Sequence, residues 1–489
     1  MSDQSSSHTW QTIIGLEIHA ELNTKSKLFS TAPNRFGDEP NVNITEVCTG
    51  MPGALPVLNR EAVRKAVQFG CAIGATVAKF SKFDRKSYFY PDSPRNFQIT
   101  QFEDPIVLGG NIIAEVNGEE RNFEVTRVHL EDDAGMLKHF SNFAGVDYNR
   151  AGVPLIEIVS EPCIHSPQEA VAYAMAVKAI LEYIDASDCN MEEGSFRIDA
   201  NISVRKHGEI GLRNRIEIKN MNSFSYMEMA LESEIKRQIK EYTRQPDLPF
   251  DQVIRQTTCR WDPEKKEVIV MRAKEDADDY RYFPEPDLLP IVLTEQYIDE
   301  IRKALPELPL QRERRYVSEL GLSTHSAFVI TSEKAVADYF EMALKHCSNA
   351  KNLCNWLIVE FAGRLKNSNR TIVNSGIPAN NVGVLVEMIE RGTITGKIAK
   401  AIADDMVSDP SRDPESIVEA NPDYNPVHDQ AEIQLLVDKV LAENPQSIAD
   451  YRQGREKAFA FLVGQVMKLS RGKAAPQIVN TLLHQKIDS

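Results

Sequence analysis

The most regular alternation of apolar and polar residues lies in residues 194–224. Apolar and polar residues alternate along 196–205 and again along 213–219. Because successive side chains of a strand point to opposite faces, this pattern predicts two strands joined by a loop, each with one apolar and one charged face. Asp199 and Glu217 lie on the charged face, among several arginine and lysine residues. A sheet with one solvated side explains a single hairpin of this kind.

Two other strand-like segments carry carboxylates on a polar face. Along residues 12–22, Glu17 and His19 alternate with aliphatic residues, so both side chains point the same way. The second segment ends in the sequence RVHLEDDAG, where Glu131 shares a face with a histidine and Asp132 follows at the strand end. Three separate segments therefore present carboxylates backed by aliphatic residues.

Such a repeated pattern suits a metal site if the strands are neighbours in one sheet. Hard divalent cations prefer oxygen ligands, and Mg²⁺ in phosphoryl-transfer sites takes carboxylates together with substrate phosphates. An ordinary charged sheet surface explains the same residues, and the pattern alone leaves both explanations open. The candidate ligands are Glu17, His19, Glu131 or Asp132, Asp199 and Glu217.

Local signals place turns and helix ends. The dipeptide Asn117-Gly118 predicts a two-residue hairpin turn. Asn59 is expected to cap a helix that runs to about Ala78, and the sequence SPQE at 166–169 predicts a capping box with proline at the first helical position.

The pattern changes to helical periodicity after a cluster of prolines between residues 284 and 309. The chain therefore reads as a large α+β domain over residues 1–293, an all-α domain over 294–407, a proline-containing linker over 408–427 and a small helical tail over 428–489.

Composition narrows the possible classes of protein. The 489 residues include no apolar run long enough to span a bilayer, and the first residues lack an export or transit signal, so we expect a soluble, cytoplasmic protein without a membrane partner. Seven scattered cysteines without a C-x-x-C pair argue against a disulfide scaffold and a cysteine-rich zinc site. The P-loop, dinucleotide-binding and hydrolase-elbow motifs are absent.

Charge is unevenly distributed along the chain. The formal net charge is −15, yet the stretch from Tyr451 to the end holds seven basic and two acidic residues, a net charge of +5. Lys468, Arg471 and Lys473 lie in this stretch, which hints at a nucleic-acid contact, although a basic helix face is often merely solvated.

One further segment, residues 83–101, mixes basic and aromatic side chains and includes Lys86 and Tyr88. This mixture suits a nucleotide or an acidic ligand, and a plain aromatic-rich turn region fits it equally well.

Taken together, long stretches of the chain resemble the B subunits of the heterotrimeric aspartyl/glutamyl-tRNA(Asn/Gln) amidotransferases. The resemblance covers essentially the whole chain. The matching segments are GLEIHAEL (15–22), MPGALPVLN (51–59), KSYFYPD (86–92), NFQITQ (96–101), RVHLEDDAG (127–135), NRAGVPLIEIVSEP (149–162), MEEGSFRIDANISVR (191–205), RIEIKNMNSF (215–224), DYRYFPEPDL (279–288) and FLVGQVMKLSRGKAAPQIV (461–479).

This resemblance implies a fold and a function. The fold would be α+β, with a cradle domain built on a mostly antiparallel sheet, followed by a helical domain and a mobile tail that contacts tRNA. The B subunit would bind misacylated Glu-tRNA(Gln) or Asp-tRNA(Asn) and ATP, and would phosphorylate the side-chain carboxylate of the attached amino acid. Ammonia released from glutamine by the A subunit, an amidase, would then displace phosphate, while a small C subunit braces the other two.

The resemblance also implies roles for particular residues. Lys86 and Tyr88 would lie beside the phosphates or the aminoacyl end, and the basic tail residues Lys468, Arg471 and Lys473 would contact tRNA phosphates. The residues around the metal would be Glu17, His19, Glu131 or Asp132, Asp199 and Glu217. Many family members have two glutamates where this chain has Glu131-Asp132.

Zinc is not expected. Members with a structural zinc carry C-x-x-C before the MPGALP-like loop, whereas this chain has Thr45 at the first of these positions and Cys48 at the second.

Two other functions compete with the catalytic one. The chain would be a tRNA-binding scaffold if chemistry were housed in another subunit, and an ATP-grasp-like ligase if its substrate were a small amino acid without tRNA. Deleting the residues after Val427 separates a scaffold, which would lose all activity, from a catalytic cradle, which would keep turnover at high tRNA concentration.

Overall fold

The computed structural model describes residues 9–273, 280–368, 370–424, 430–452, 454–470 and 473–487. The chain divides into two compact units, Met1–Leu310 and Gln311–Ser489, which are described separately.

The first unit is built on a large mixed sheet. The strands within the described residues are β1 (Trp10–Glu21), β2 (Thr76–Val77), β3 (Phe80–Ser81), β4 (Asp84–Ser87), β5 (Phe97–Thr100), β6 (Val107–Leu108), β7 (Asn111–Val116), β8 (Glu119–Asp132), β9 (Met136–His139), β10 (Ala144–Asp147), β11 (Pro154–Ser160), β12 (Phe196–Lys206), β13 (Ile216–Lys219), β14 (Thr257–Asp262), β15 (Glu267–Ala273), β16 (Phe283–Pro284) and β17 (Ile291–Val292). In the large sheet, described strands pair in the order β15-β14-β13-β12-β1-β11-β8-β5-β4-β16. Neighbours along this order are antiparallel except for β13 and β14, which are parallel.

Helices cover one face of this sheet and make up most of the second unit. The helices within the described residues are α1 (Arg60–Ala72), α2 (Pro167–Tyr183), α3 (Phe224–Arg244), α4 (Phe250–Val253), α5 (Glu295–Lys303), α6 (Pro309–Leu320), α7 (Thr324–Thr331), α8 (Lys334–Leu344), α9 (Ala350–Asn355), α10 (Ala362–Leu365), α11 (Ala379–Glu390), α12 (Gly396–Ser408), α13 (Pro414–Ala420), α14 (Gln430–Glu443), α15 (Pro445–Arg452), α16 (Glu456–Leu469) and α17 (Pro476–Ile487).

The alternation in the sequence sets which face of the sheet is buried. Ile14, Leu16 and Ile18 of β1 are fully buried and belong to one core with the apolar residues of the neighbouring strands and of α1, α2 and α3. Because the period of a strand is two, Glu17 and His19 must lie on the opposite, polar face. Burial of the apolar side thereby fixes the position of the polar side chains.

The predicted turns and caps are found, with one helix shorter than expected. Asn117 and Gly118 join β7 and β8 with positive φ angles of 54° and 84°, as a two-residue turn requires. Asn59 caps α1, but the helix ends at Ala72 and not near Ala78, because Gly74 adopts a φ of 65° and the chain turns into β2.

The end of the first unit lies beyond the predicted boundary at residue 293. Helix α5 packs against α1, and its Ile298 and Ile301 are buried in the core of the sheet domain. The predicted linker, residues 408–427, contains α13, whose Ile417 is buried in the core formed by the helices of the middle region.

The described residues of the second unit form two helical cores. One lies between Tyr316 and Val418 and includes a π-helical turn, Trp356–Phe361, between α9 and α10. The other joins α14, α16 and α17. The chain is thus α+β with a helical C-terminal region. None of the described helices is both long and apolar enough to cross a membrane.

Candidate active site on the polar face of the sheet

Strand pairing brings the predicted polar residues into one row across the sheet. Glu17 of β1 lies opposite Asp199 of β12, and His19 of β1 lies opposite Glu157 of β11. On the far side of β12, Asn201 lies opposite Glu217 of β13. Glu17 and Asp199 are 182 positions apart in the chain (199 − 17), yet they are neighbours because β1 and β12 pair in this register.

The centre of the row is a compact group of one histidine and two glutamates. The Nε2 atom of His19 lies 3.3 Å from Oε2 of Glu157 and 4.0 Å from Oε1 of Glu131. One ligand atom from each of these three residues lies within 4.8 Å of the others, a spacing that suits a metal ion. Thr100 donates a hydrogen bond of 3.2 Å to Oε2 of Glu131 and holds that carboxylate in place.

A second histidine supports this group from β8. The Nε2 atom of His129 lies 3.3 Å from Glu157 and 3.8 Å from Glu131, and the side chain is only 3% exposed. Its Nδ1 atom is buried without a hydrogen-bond partner among the described residues. His129 thus holds both carboxylates through one ring nitrogen.

Histidine and glutamate shift each other's pKa values. Burial alone would lower the pKa of His129, but the negative charge of Glu157 and the close approach of both glutamates raise it to about 9. The contact with Glu157 likewise outweighs burial and raises the pKa of His19. Burial alone would raise the pKa of Glu157, but the two histidines hold it well below its usual range.

The other predicted acidic residues lie beside this group. Lys219 donates to Asp199 at 2.5 Å and to Glu217 at 3.0 Å, and Thr258 donates to Glu217 at 2.7 Å. Glu17 accepts a hydrogen bond of 2.9 Å from Asn201. Burial, followed by the negative charges of Glu157 and Asp199, raises the pKa of Glu17.

The structure separates Glu131 from Asp132. Successive residues of β8 point to opposite sides, and Asp132 turns away from the histidines to pair with Arg95. It also accepts a 2.8 Å hydrogen bond from the backbone of Ile99. Of the two alternatives, Glu131 is therefore the one that lies with His19 and Glu157.

Two cavities adjoin the carboxylate group. A cavity of about 480 Å³ is lined by Lys86, Arg127, Arg215 and the ring of Tyr282. A second cavity, of about 590 Å³, is lined by other residues that include Tyr88, Met136, Arg150 and Arg197. Both cavities are also lined by His19, Glu131, Asp199 and Lys219.

Lys86 and Tyr88 lie at these cavities. The ammonium of Lys86 lies 5.0 Å from the centre of the Tyr280 ring, and the charge of Glu131 raises the pKa of Lys86 despite the opposing effect of burial. Tyr88 lines the larger cavity together with His19 and Glu131.

Sequence reasoning missed Glu157 and did not select His129. Glu157 lies between the buried residues Ile156 and Ile158 in the segment LIEIVS, so its position follows the same period of two that singled out Glu17. The signal was present, but nothing in the chain order indicates that β11 pairs with β1.

The predicted tail residues belong to the second unit, whereas this site lies in the first. Lys468 is exposed in the last turn of α16, and Lys473 follows that helix. Arg471 lies outside the described residues.

Cys48 stands at the second position of the C-x-x-C that zinc-binding family members carry. It is a buried thiol whose sulfur lies 3.2 Å from the hydroxyl of Ser30 and 3.5 Å from that of Thr45. The absence of zinc remains a prediction.

Known protein families match the chain in both of its units. A family model described as the GatB/GatE catalytic domain matches residues 12–299, and one described as the GatB domain matches residues 338–487. The B subunit of the aspartyl/glutamyl-tRNA(Asn/Gln) amidotransferase from Protochlamydia amoebophila (strain UWE25) is 72% identical over 478 residues, which cover 98% of this chain and 97% of that protein. The protein of the same name from Chlamydia pneumoniae is 58% identical over 479 residues, 98% of each chain.

These matches place the chain among the subunits of ligase-type amidotransferases. Identity to B subunits over 98% of the chain identifies which subunit family it is. The chain belongs to the family of the B subunits of aspartyl/glutamyl-tRNA(Asn/Gln) amidotransferase, and the resemblance seen in its sequence motifs is confirmed.

Proposed function

We propose that this chain is the catalytic subunit that amidates misacylated tRNA on the polar face of its sheet. Its substrates are ATP and Glu-tRNA(Gln) or Asp-tRNA(Asn), and its partners are a glutamine-hydrolysing A subunit and a small C subunit. Family membership supports the overall reaction. The convergence of His19, Glu131 and Glu157 in one group is the observation that carries the catalytic role.

The donor set fits Mg²⁺. Five carboxylates crowd the row, and burial together with the negative charges of its neighbours raises the pKa of Glu17. A divalent cation would relieve this crowding of negative charge. Mg²⁺, when bound, would neutralise charge on polyphosphate oxygens. The residues that would hold it are Glu17, His19, Glu131, Glu157, Asp199 and Glu217.

The nucleotide is proposed to occupy the cavity of about 480 Å³. Four cationic side chains, Lys86, Arg127, Arg215 and Lys219, line it and suit a polyphosphate. The stacked rings of Phe102 and Tyr282, whose centres are 3.9 Å apart, lie at the same cavity and suit a nucleobase. The aminoacyl end of tRNA would then enter from the larger cavity.

Two displacements would complete the reaction. The side-chain carboxylate attacks the γ-phosphorus, ADP leaves, and an acyl phosphate forms. Ammonia then attacks the acyl carbon, inorganic phosphate leaves and takes up the proton that nitrogen loses, and the amide remains on the tRNA. Phosphate is a far better leaving group than the oxygen of a free carboxylate, and a pocket that the bound substrates close would protect the acyl phosphate from water.

Substitution of the acidic residues tests the proposal. Glu217→Gln and Asp199→Asn, each assembled with the partner subunits, are expected to abolish amidation while glutamine hydrolysis continues. Full amidation by both variants would exclude the proposed metal site. Assaying Glu-tRNA(Gln) and Asp-tRNA(Asn) side by side in the wild-type complex would identify the substrate.

A further inference from the structure

A small hairpin beside the larger cavity carries two exposed aromatic rings. Strands β9 and β10 pair in register from Met136 opposite Asp147 to His139 opposite Ala144, and the backbone N–H of Phe140 donates to the carbonyl of Phe143 at 2.8 Å. The rings of Phe140 and Phe143 stack at the tip, with centres 4.6 Å apart and planes 22° from parallel.

These rings are exposed although they are large and apolar. Phe140 is 54% exposed and Phe143 is 65% exposed, and Lys138 and His139 beside them are also exposed. Proteins that bind single-stranded nucleic acids combine aromatic rings with basic side chains, because every base can stack on a ring and the cations attract phosphates.

The base of the hairpin is held firmly. Asn41 donates from its side-chain amide to the carbonyl of Val146 at 3.0 Å, and the backbone of Gly135 donates to Asp92 at 2.7 Å. The Tyr148 hydroxyl donates to the carbonyl of Pro91 at 2.9 Å. The position of the tip is therefore set by the same loops that surround the site.

The tip is also close to the cavity. Met136, the first residue of β9, lines the cavity of about 590 Å³. Phe140 follows four residues later, so at a strand rise of ~3.3 Å per residue it lies within roughly 13 Å along the chain. The unpaired nucleotides at a tRNA 3′ end can span a gap of this size when the aminoacyl group occupies the cavity.

We infer that Phe140 and Phe143 form a stacking platform for an unpaired base of the tRNA 3′ end. This inference rests on the proposed function for the identity of the nucleic acid. The platform would orient the aminoacyl-bearing nucleotide toward Glu131 and His19, and Lys138 would contact the adjacent phosphate.

Fluorescence of the tRNA end tests this inference without turnover. Uncharged tRNA(Gln) is prepared with 2-aminopurine at each of its last three positions in turn and bound to the complex assembled with its partner subunits. Wild-type protein is expected to quench at least one label. The double variant Phe140→Leu with Phe143→Leu keeps apolar bulk without rings and should lose that quenching and bind about tenfold more weakly.

Two control variants make the result specific. Phe140→Tyr with Phe143→Tyr keeps both rings and should restore quenching and affinity. Ile210→Ala truncates another exposed apolar side chain, at the loop between β12 and β13, and should behave as wild type.

Several outcomes would overturn the inference. It fails if wild type quenches none of the three labels, or if the leucine variant quenches as wild type does. It also fails if the leucine variant instead prevents assembly with the partner subunits, because the rings would then be a protein contact. Loss of amidation in Asp199→Asn tests the proposed function separately, since quenching needs no ATP and no attached amino acid.

Discussion

At the scale of single residues, the site depends on where ionisable side chains are buried. Glu157 touches both histidines, and its low pKa and the raised pKa of His129 arise from the same contacts. Asp132, one residue from Glu131, takes a different role because it faces Arg95. The sequence indicated that one of the two acidic residues belongs to the group, but only the direction of each side chain distinguishes them.

A partly buried ionic network around Glu341 in the second unit should make stability depend on pH. Hydrogen bonds from Arg312, Arg315 and Tyr316 outweigh burial and lower the pKa of Glu341 to about 2. A carboxyl whose folded pKa is depressed stabilises the fold above its ordinary pKa of 4.5, and this contribution is lost as pH falls toward 2. Because Glu341 is about one-third exposed and solvent screens its ion pairs, we expect the ionised carboxylate to contribute about 1–2 kcal/mol to the free energy of unfolding.

Urea unfolding of the full chain at pH 6 and pH 3 measures this contribution. Glu341→Gln should have a lower unfolding free energy than wild type at pH 6. This difference between variant and wild type should be smaller at pH 3. The exposed Glu319→Gln on α6 serves as control and should follow wild type at both values. An equal deficit of Glu341→Gln at pH 6 and pH 3 would contradict the assignment.

At the scale of elements, much of the sheet could be read from the sequence. Alternation identified β1, β12 and the end of β8, and Asn117-Gly118 located a turn. The order of the strands could not be read, because β1 pairs with β11 and β12, which follow it by more than 130 residues. Pairing over such separations depends on packing of the apolar faces and not on local propensity.

Because strand pairing depends on packing of the apolar faces, removing apolar atoms from a central strand should lower the free energy of unfolding. Ile202 of β12 is fully buried on the apolar face, opposite Ile14 of β1 and Ile216 of β13. Ile202→Ala should lower the unfolding free energy by about 2–5 kcal/mol, because it removes apolar contacts and leaves a cavity. Chemical denaturation measures this loss, and Ile210→Ala, at a fully exposed position, should change stability by less than about 0.5 kcal/mol. Similar values for the two variants would argue against the central position of β12.

At the scale of the whole molecule, the two units have distinct proposed roles. The sheet unit carries the polar row and its cavities, and the second unit ends in a helical core with the basic residues Lys468 and Lys473 nearby. The helical periodicity predicted that region correctly. The segment predicted as a linker, residues 408–427, contains the short helix α13. Its sequence did not indicate that Ile417 would be buried in the helical core.

Removal of the tail tests this division of roles. A complex in which this chain ends at Val427 should show a KM for misacylated tRNA raised at least tenfold, with kcat retained at saturating tRNA, because phosphate contacts are lost and the polar row is intact. Steady-state kinetics at two salt concentrations measure both constants, and the truncated complex should show the weaker salt dependence. Complete loss of turnover at saturating tRNA would favour the scaffold function.

The central claim is that the polar row on the sheet is where amidation occurs. Glu157→Gln tests it most directly, because this residue touches both histidines and was not selected from the sequence. The measurement is amidation of Glu-tRNA(Gln) and hydrolysis of glutamine by the same reconstituted complex, with the exposed Glu124→Gln on β8 as the matched control. We predict that Glu157→Gln lowers amidation by ~100-fold or more while glutamine hydrolysis stays within about twofold of wild type. Amidation at the wild-type rate would contradict the account.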